Sequence, residues 1–346
     1  MNRAATVALA PLSGIYSIFV KARNALYRRG ILNSRQIGVP VISIGNLTAG
    51  GTGKTPLVEW TARELASVGR KVCVLTRGYG RDNPGSRVVA SNGNELLADV
   101  SQTGDEPFML AENLIGDAAV ICDADRISAA GWAIQNFGSD VFVLDDAFQH
   151  QQIARDLNIL TVDATNPWGN GRTLPGGILR EPVSQLSRAD CVLITRSDAR
   201  TSGQLQAEIE RVQPGVPIFL SRMKPAQVRE VGTNSLVTNP NQIKSLSLGA
   251  FCGIGNADSF FTLLRDVGYV VNYQRSFRDH HNFTQTDIDE IVRDAQAKGA
   301  QAILTTAKDA VKLRSLKFGM PGYVVEIEIE IDRADALRQL IYNVIG

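Results

Sequence analysis

Residues 41–56, VISIGNLTAGGTGKTP, restrict what this chain can become more than any other stretch. Four β-favouring residues (Val41, Ile42, Ser43, Ile44) run into a turn rich in Gly and Thr, which ends in Gly53, Lys54 and Thr55. The order reads as strand, phosphate loop, helix N-terminus. Such a loop needs glycines because backbone N–H groups must converge on phosphate oxygens that side chains would block. In this reading Thr48, Ala49, Gly50, Gly51, Thr52 and Gly53 cradle a nucleotide triphosphate. Lys54 reaches its β- and γ-phosphates, and the Thr55 hydroxyl holds Mg²⁺. The first turn of the following helix adds orphan N–H groups and a positive dipole end. Thr48 stands where the GxxxxGK[ST] pattern has its first glycine, so the flexible part of the loop is Gly50-Gly51. A Gly-rich turn without a ligand is the plainer alternative. Against it, the tripeptide follows an apolar strand and precedes helix-forming residues 57–68.

A chain of 346 residues is too long for one small core and points to two domains. A net charge of +1 implies no nucleic-acid partner, but the charges are unevenly placed. No Asp or Glu precedes Glu59, whereas Arg3, Lys21, Arg23, Arg28, Arg29, Arg35 and Lys54 do. Cys73, Cys122, Cys191 and Cys252 lie far apart in apolar runs. That spacing suits buried reduced thiols in a cytoplasmic protein and offers neither a zinc site nor a disulfide framework.

Residues 4–20 carry no charge and residues 21–29 are basic. A signal peptide has this outline, but a secreted protein would find no ATP for its loop. A spanning helix needs about 20 strongly apolar residues, and Thr6, Pro11, Ser13, Gly14 and Ser17 dilute this segment. A surface helix, or two joined at Pro11, would dip Leu9, Leu12, Ile15, Tyr16, Phe19 and Leu26 into acyl chains. Its Arg/Lys cluster would meet anionic head groups. A helix packed into the core is the bland alternative.

After the loop, apolar runs alternate with segments of helical length. Strands are expected at 71–76, 118–122, 141–144, 157–162, 191–195 and 217–220, with helices at 57–68 and 126–137 between them. Continuous apolar runs of this kind form buried parallel strands. The fold class expected is α/β: a phosphate-loop NTPase-like, doubly wound, mostly parallel sheet with a second, smaller α/β domain and an N-terminal membrane-surface helix. Residues 1–29 form that helix, 30–225 the phosphate-loop domain, 226–243 a hairpin linker and 244–346 the smaller domain. Strands of the latter are expected at 246–252, 269–273, 302–305 and 323–331.

Ligands of such sheets bind beyond the carboxyl ends of the strands. The run 141–144 ends in Asp145 and Asp146, the pair that in phosphate-loop enzymes holds Mg²⁺ or its water shell. TRGYGR at 76–81 offers Arg77 to an anion, or is a solvated loop. Asp105 and Glu106 would sit well at a helix N-terminus beginning near Phe108. The chemical alternative makes Asp105 the base that takes a proton from an acceptor hydroxyl. In LPGGILREP, residues 174–182, Arg180 could neutralise phosphate charge and Glu181 could join the magnesium shell. His280 and His281 are two of only three histidines, and a His can orient a catalytic carboxylate.

Taken together, GNLTAGGTGKTP, TRGYG, GDEP, LDDAFQH, LPGGILREP, RDHHNF and LTTAKDAVK resemble, in order, the tetraacyldisaccharide 4'-kinase family, the lipid A 4'-kinases of Gram-negative bacteria. The resemblance covers nearly the whole chain. Two departures are small: Ala147 where the family usually has Gly, and Ala307 where Glu is common. The resemblance implies transfer of the γ-phosphoryl of ATP to the 4'-hydroxyl of a tetraacylated glucosamine disaccharide 1-phosphate, giving lipid IVA. It implies a peripheral position on the cytoplasmic face of the inner membrane, where the four-chain lipid resides. It further implies that Lys54 and Thr55 hold phosphate and Mg²⁺, that Asp145, Asp146 and Glu181 form the carboxylate set, and that Asp105 is the base. Its histidine partner is His280, with His281 the alternative. Arg77, Arg126, His150 and Arg180 are implied contacts in the cleft. The rivals are a partitioning-type nucleotide switch, whose extra loop Lys would stand at Ala49, and a membrane-bound nucleotide sensor, which would not need Asp105, Glu181 and His280 together.

Overall fold

The computed structural model describes residues 9–197, 202–233 and 235–346. The first described element is a single helix, α1 (Ala10–Arg28). Pro11 lies in its first turn, where a missing N–H costs nothing, so the helix is not broken there. Then come β1 (Val41–Asn46), α2 (Lys54–Ser67), β2 (Val72–Thr76), an unanticipated edge strand β3 (Val88–Ser91), α3 (Val100–Thr103) and α4 (Asp105–Asn113). They are followed by β4 (Ala118–Cys122), α5 (Arg126–Phe137), β5 (Val141–Asp145), β6 (Leu157–Asp163), β7 (Cys191–Thr195), α6 (Ser202–Val212) and β8 (Ile218–Glu230). The remainder is α7 (Pro240–Lys244), β9 (Ser247–Cys252), α8 (Ala257–Asp266), β10 (Val270–Ser276), α9 (Gln285–Ala297), β11 (Ala302–Thr306), α10 (Ala307–Ala310), β12 (Gly322–Ile331) and α11 (Ala334–Ile345).

All the described strands join one twelve-stranded sheet in the order β10-β9-β11-β12-β8-β7-β6-β1-β5-β2-β4-β3. β1 lies between β5 and β6, parallel to both. It is the point where the chain order reverses, and such a switch point opens a crevice above the strand ends. Every residue of β1, β2, β4, β5, β6 and β7 is buried, as expected for strands covered on both faces. Among the described strand pairs, β3 against β4 and β12 against β8 are antiparallel and the others parallel.

The two halves of the sheet meet at β8, which is longer than the run 217–220 implied. Ile218, Phe219 and Leu220 pair with Val192, Leu193 and Ile194 of β7. Ser221 to Glu230 then run antiparallel to Ile331 to Tyr323 of β12. A short return follows, with Val228 bridged by the Val237 N–H. The last helix comes back to the first half. Leu337 and Ile341 of α11 share a core with Leu57, Val58 and Leu65 of α2. Fully burying each such side chain stabilises by about 1.5–3 kcal/mol. Arg338 also holds both oxygens of Glu64 on α2 at 2.9 Å.

The four cysteines are free and buried, as their apolar surroundings imply. Among the described residues no helix is long and apolar enough to cross a membrane.

Candidate active site

The phosphate loop leaves β1 at its carboxyl end. Gly50 (φ 114°) and Gly53 (φ 75°) adopt left-handed conformations that a β-carbon would strain. The loop is braced on three sides. Thr195 Oγ1 donates to the Thr52 carbonyl at 2.8 Å, Thr52 and Thr161 hydroxyls bond at 2.9 Å, and the Ala49 N–H donates to Ile178 O. Thr48, buried, bridges Leu179, so the missing first glycine is replaced by a residue packed into the scaffold. Gly51 stays exposed, and Thr55 begins α2 beside Lys54. Lys54 Nζ lies 3.3 Å from Asn46 Oδ1 and 3.4 Å from Asp146 Oδ1.

Asp145 ends β5 and Asp146 turns the chain with φ 49°. The left-handed residue is therefore Asp146, not Ala147, and Ala147 is accommodated without backbone strain. The Thr76 hydroxyl donates to Asp145 Oδ2 at 3.0 Å; Asp145 Oδ1 is buried without a hydrogen-bond donor, and Asp146 Oδ1 faces Lys54 Nζ at 3.4 Å. Burial, with Asp146 and Glu106 nearby, pushes the Asp145 carboxyl up to about 6. Desolvation would raise Asp146 as well, although its side chain is 33% exposed, but Lys54 and Arg180 hold it at about 2. An orphaned Asp145 oxygen beside the Asp146 carboxylate fits a hard, oxygen-seeking cation that shares its shell with phosphate and water. Among the described residues there is no cluster of three or more His, Cys, Asp or Glu that would hold a metal unaided.

A basic ring surrounds this pair. Arg180 Nη1 donates to Asp146 Oδ2 at 2.7 Å. Arg126 is 3% exposed; Asp125 caps α5 through the Ile127 and Ser128 amides and so sets Arg126 at its start. Its guanidinium donates to the Asp145 carbonyl at 2.8 Å, leaving Nε unpartnered. Arg77 follows β2 and is exposed. Burial and the charges of Arg126, Arg155 and Arg77 push the His150 imidazole down to about 4. It is neutral at neutral pH, with Nε2 unpartnered.

Asp105 is the first residue of α4, and its side chain does not cap that helix. Gly104 (φ 86°) allows the placement, since a β-carbon there would meet Tyr79 O at 2.4 Å. The carboxylate instead faces His280, whose Nδ1 lies 3.1 Å from Oδ1 and 3.0 Å from Oδ2. The two are 175 positions apart and come from opposite halves of the sheet. His280 adopts φ 58°, an uncommon state for a residue with a β-carbon. Burial alone would raise the Asp105 carboxyl, but the His280 hydrogen bond and the charges of Lys312 and Lys308 hold it at about 2. The Asp105 bond in turn raises the imidazole above 6.5. His281 points elsewhere: it stacks on Phe277 at 4.6 Å and bonds Asp287 at 3.2 Å.

A raised imidazole pKa stabilises the fold fully below the unfolded value, here 6.5, and the contribution fades as pH rises through the folded value. Asp105→Asn should therefore lose stability relative to the parent at about pH 6 and lose less near pH 8.5. Calorimetric melting at both pH values checks this; a pH-independent difference would count against the ion pair.

Glu181 is bonded to residues outside the Asp145–Asp146 pair. It is fully buried, and its oxygens are taken by Arg23 at 2.9 Å, Asn24 at 3.2 Å and Arg188. The segment 173–181 is a strap with two faces. One faces α1: Thr173 and the Gly176 N–H bond Ser13, and Tyr16 donates to Arg180 O. A β-carbon at Gly176 would sit 2.5 Å from Ser13 Oγ and would displace that hydroxyl from its bond to the strap. The other faces the phosphate loop through Ile178, Leu179 and Arg180.

Sequence reasoning gave Glu106 only a place at a helix N-terminus and assigned no roles to Arg196, Lys308 and Lys312. Arg196 (φ 52°) follows β7, donates to Gly51 O at 2.9 Å and pairs with Asp163. Its position just beyond a strand end was the available signal. Lys308 and Lys312 lie in TTAKDAVK, a motif read only as a family mark. An open cleft of about 1380 Å³ runs beside the phosphate loop, lined by Gly53, Thr55, Arg196, Asn256, Asp258 and Lys308 among others.

A phosphate loop at a sheet switch point, a carboxylate pair on the neighbouring strand and a carboxylate–imidazole pair define a phosphate-loop kinase. The Tetraacyldisaccharide-1-P 4'-kinase family model matches residues 5–346. Tetraacyldisaccharide 4'-kinases of Anaeromyxobacter sp. (strain Fw109-5) and Pelobacter propionicus are 40% and 38% identical to the chain. These alignments cover 95% of this chain and 89% of the first relative, and 96% and 92% for the second. The "apo" form of LpxK from Aquifex aeolicus in complex with ATP matches with a TM-score of 0.78 and 30% identity, over 99% of each chain. The chain belongs to the tetraacyldisaccharide 4'-kinase family, and it is an ATP-dependent kinase of lipid A biosynthesis.

Proposed function

We propose that this kinase works on the cytoplasmic face of the inner membrane, as a peripheral protein, with Asp105 as base. It transfers the γ-phosphoryl of ATP to the 4'-hydroxyl of a tetraacylated glucosamine disaccharide 1-phosphate, forming lipid IVA. The observation that carries the site assignment is Asp105, held ionised by His280 across the two halves of the sheet. The loop amides and Lys54 hold the triphosphate, and Arg126, Arg180, Arg77 and His150 line the approach. Asp105 takes the proton of the 4'-hydroxyl as its oxygen bonds to the γ-phosphorus and the bond to the β–γ bridging oxygen breaks, releasing ADP. Thr55, Asp145 and Asp146 would hold Mg²⁺, which neutralises phosphate charge when bound. Residues 1–29 anchor, 30–225 bind phosphate, 226–243 cross over, and 244–346 deliver His280, with α11 returning to the first part.

The membrane reading rests on α1, which is turned inside out. Ser13 and Asn24 are buried beside Val20, while Leu12, Ile15, Ile18 and Phe19 are 53–78% exposed. Lipid would cover that stripe, each buried CH₂ contributing about 0.8 kcal/mol. Ile15→Asp with Phe19→Asp should abolish flotation with anionic vesicles and leave ATP binding intact. Flotation equal to that of the parent would sink the anchor.

Incubation with labelled ATP and tetraacyldisaccharide 1-phosphate should yield labelled lipid. Lys54→Ala should reduce that yield by about 10²–10³-fold. Full activity without Lys54 would refute its phosphate role.

A further inference from the structure

The imidazole of His280 has a second partner that the dyad does not need for proton transfer. Its Nε2 lies 3.3 Å from Lys308 Nζ. The same ammonium holds Glu106 Oε1 at 2.8 Å and Asp279 Oδ1 at 3.0 Å, with only 13% of the side chain exposed. Four residues on, Lys312 Nζ lies 3.4 Å from Asp105 Oδ2 and 3.5 Å from Asp309 Oδ1. The two lysines thus grip opposite ends of the Asp105–His280 pair.

An ammonium has three donors and no acceptor. Beside it, Nε2 must present its lone pair, and the ring proton must sit on Nδ1, facing Asp105. We propose that Lys308 is a positioning residue for the phosphoryl-transfer base: it fixes His280 in the Nδ1–H tautomer and opposes protonation of the ring, so that a neutral imidazole N–H orients the Asp105 carboxylate. The role rests on the assignment of Asp105 made above.

Charge supports the geometry. His280 faces Asp105 from α4, Asp279 from its own loop, Lys308 from α10 and the Tyr79 ring at 5.9 Å; Glu106 and Lys312 stand one contact further out. Asp105 is the largest influence and raises the imidazole; Asp279 adds to it, and Lys308 opposes both. Removing the ammonium leaves the two carboxylates unopposed. The imidazole then holds its proton to higher pH, and an imidazolium drains basicity from Asp105. Glu106 also belongs to α4, so Lys308 joins the two halves of the sheet beside the base.

The test compares Lys308→Met, which keeps length and removes charge, with Lys308→Arg, which keeps charge. In Lys308→Met the acid limb of kcat should move to higher pH, with kcat at neutral pH reduced about tenfold or more and the KM for ATP unchanged. Lys308→Arg should restore the limb toward its parental position. Imidazole titration by NMR, run on the same protein without lipid or nucleotide, should show the His280 pKa higher in Lys308→Met than in the parent. A uniform loss of kcat at every pH, or an unmoved or lowered imidazole pKa, would overturn the role. If the parent phosphorylates no lipid, the kinase assignment of Asp105 falls, while the titration still judges the Lys308–His280 contact separately.

Discussion

Asp105→Ala should lower kcat by about 10²–10⁴-fold, the range that a positioned general base contributes. The loss should fall on turnover and not on nucleotide affinity. The Asp105 carboxylate bonds His280 and Lys312, neither of which belongs to the loop residues 48–55. Single-turnover transfer from labelled ATP, with nucleotide binding measured by calorimetry, separates the two quantities. Near-parental turnover would refute the base, and a matching loss of ATP binding would recast Asp105 as part of the phosphate site. His280→Ala should be the milder change, since it removes the partner and leaves the carboxylate. Lys312 would remain 3.4 Å from Asp105 to keep it ionised.

Glu181→Ala should cost stability more than chemistry. Removing one member of a buried ion-pair network destabilises by about 3–5 kcal/mol, because the stranded charges lose their partner. The lower end applies here: the Arg23 side chain is 40% exposed and can swing to water, whereas Arg188 is 18% exposed and cannot do so freely. Asn24 would lose an acceptor but keep Gln185 and Gln151. The expected result is a fall of several degrees in melting temperature and weaker vesicle binding as α1 loosens, with Mg²⁺-dependent ATP affinity unchanged. If Mg²⁺ dependence shifted and melting did not, Glu181 would belong to the metal shell that the LREP motif first implied.

The two variants show where reading residues in order succeeds and where it stops. The phosphate loop, the Asp145–Asp146 strand end and the alternation of buried strands are local patterns. Each depends on a few neighbouring residues: glycines for close backbone approach, apolar runs for two-sided burial, carboxylates past a strand end. Strands β4 and β7 and helix α5 fall where expected for that reason. Glu181 was opaque because its partners Arg23 and Arg188 lie on other elements, and no spacing rule links residue 181 to residue 23. β8 was underestimated because its outer half alternates half-buried and exposed residues beside β12, which looks like a turn-rich linker when read alone. β3 was missed because an edge strand of four residues has little pattern to show.

The same division holds for the base. The order of motifs in the sequence pointed to the class of chemistry, because a phosphate loop and a paired carboxylate strand imply a bound nucleotide, and Asp105 with a histidine adds a base that a switch or sensor would not need. The choice between His280 and His281 could not be made from adjacent positions of like chemistry. Folding makes it: a left-handed turn at His280 sends one ring to Asp105 and Lys308, while the next stacks on Phe277. The outward apolar face of α1 was likewise only one of several readings until its polar side met the 173–181 strap. Local composition sets which groups are available; the sheet that brings residue 280 to residue 105 sets which of them meet, because contact distance is a property of the packed chain and not of its order.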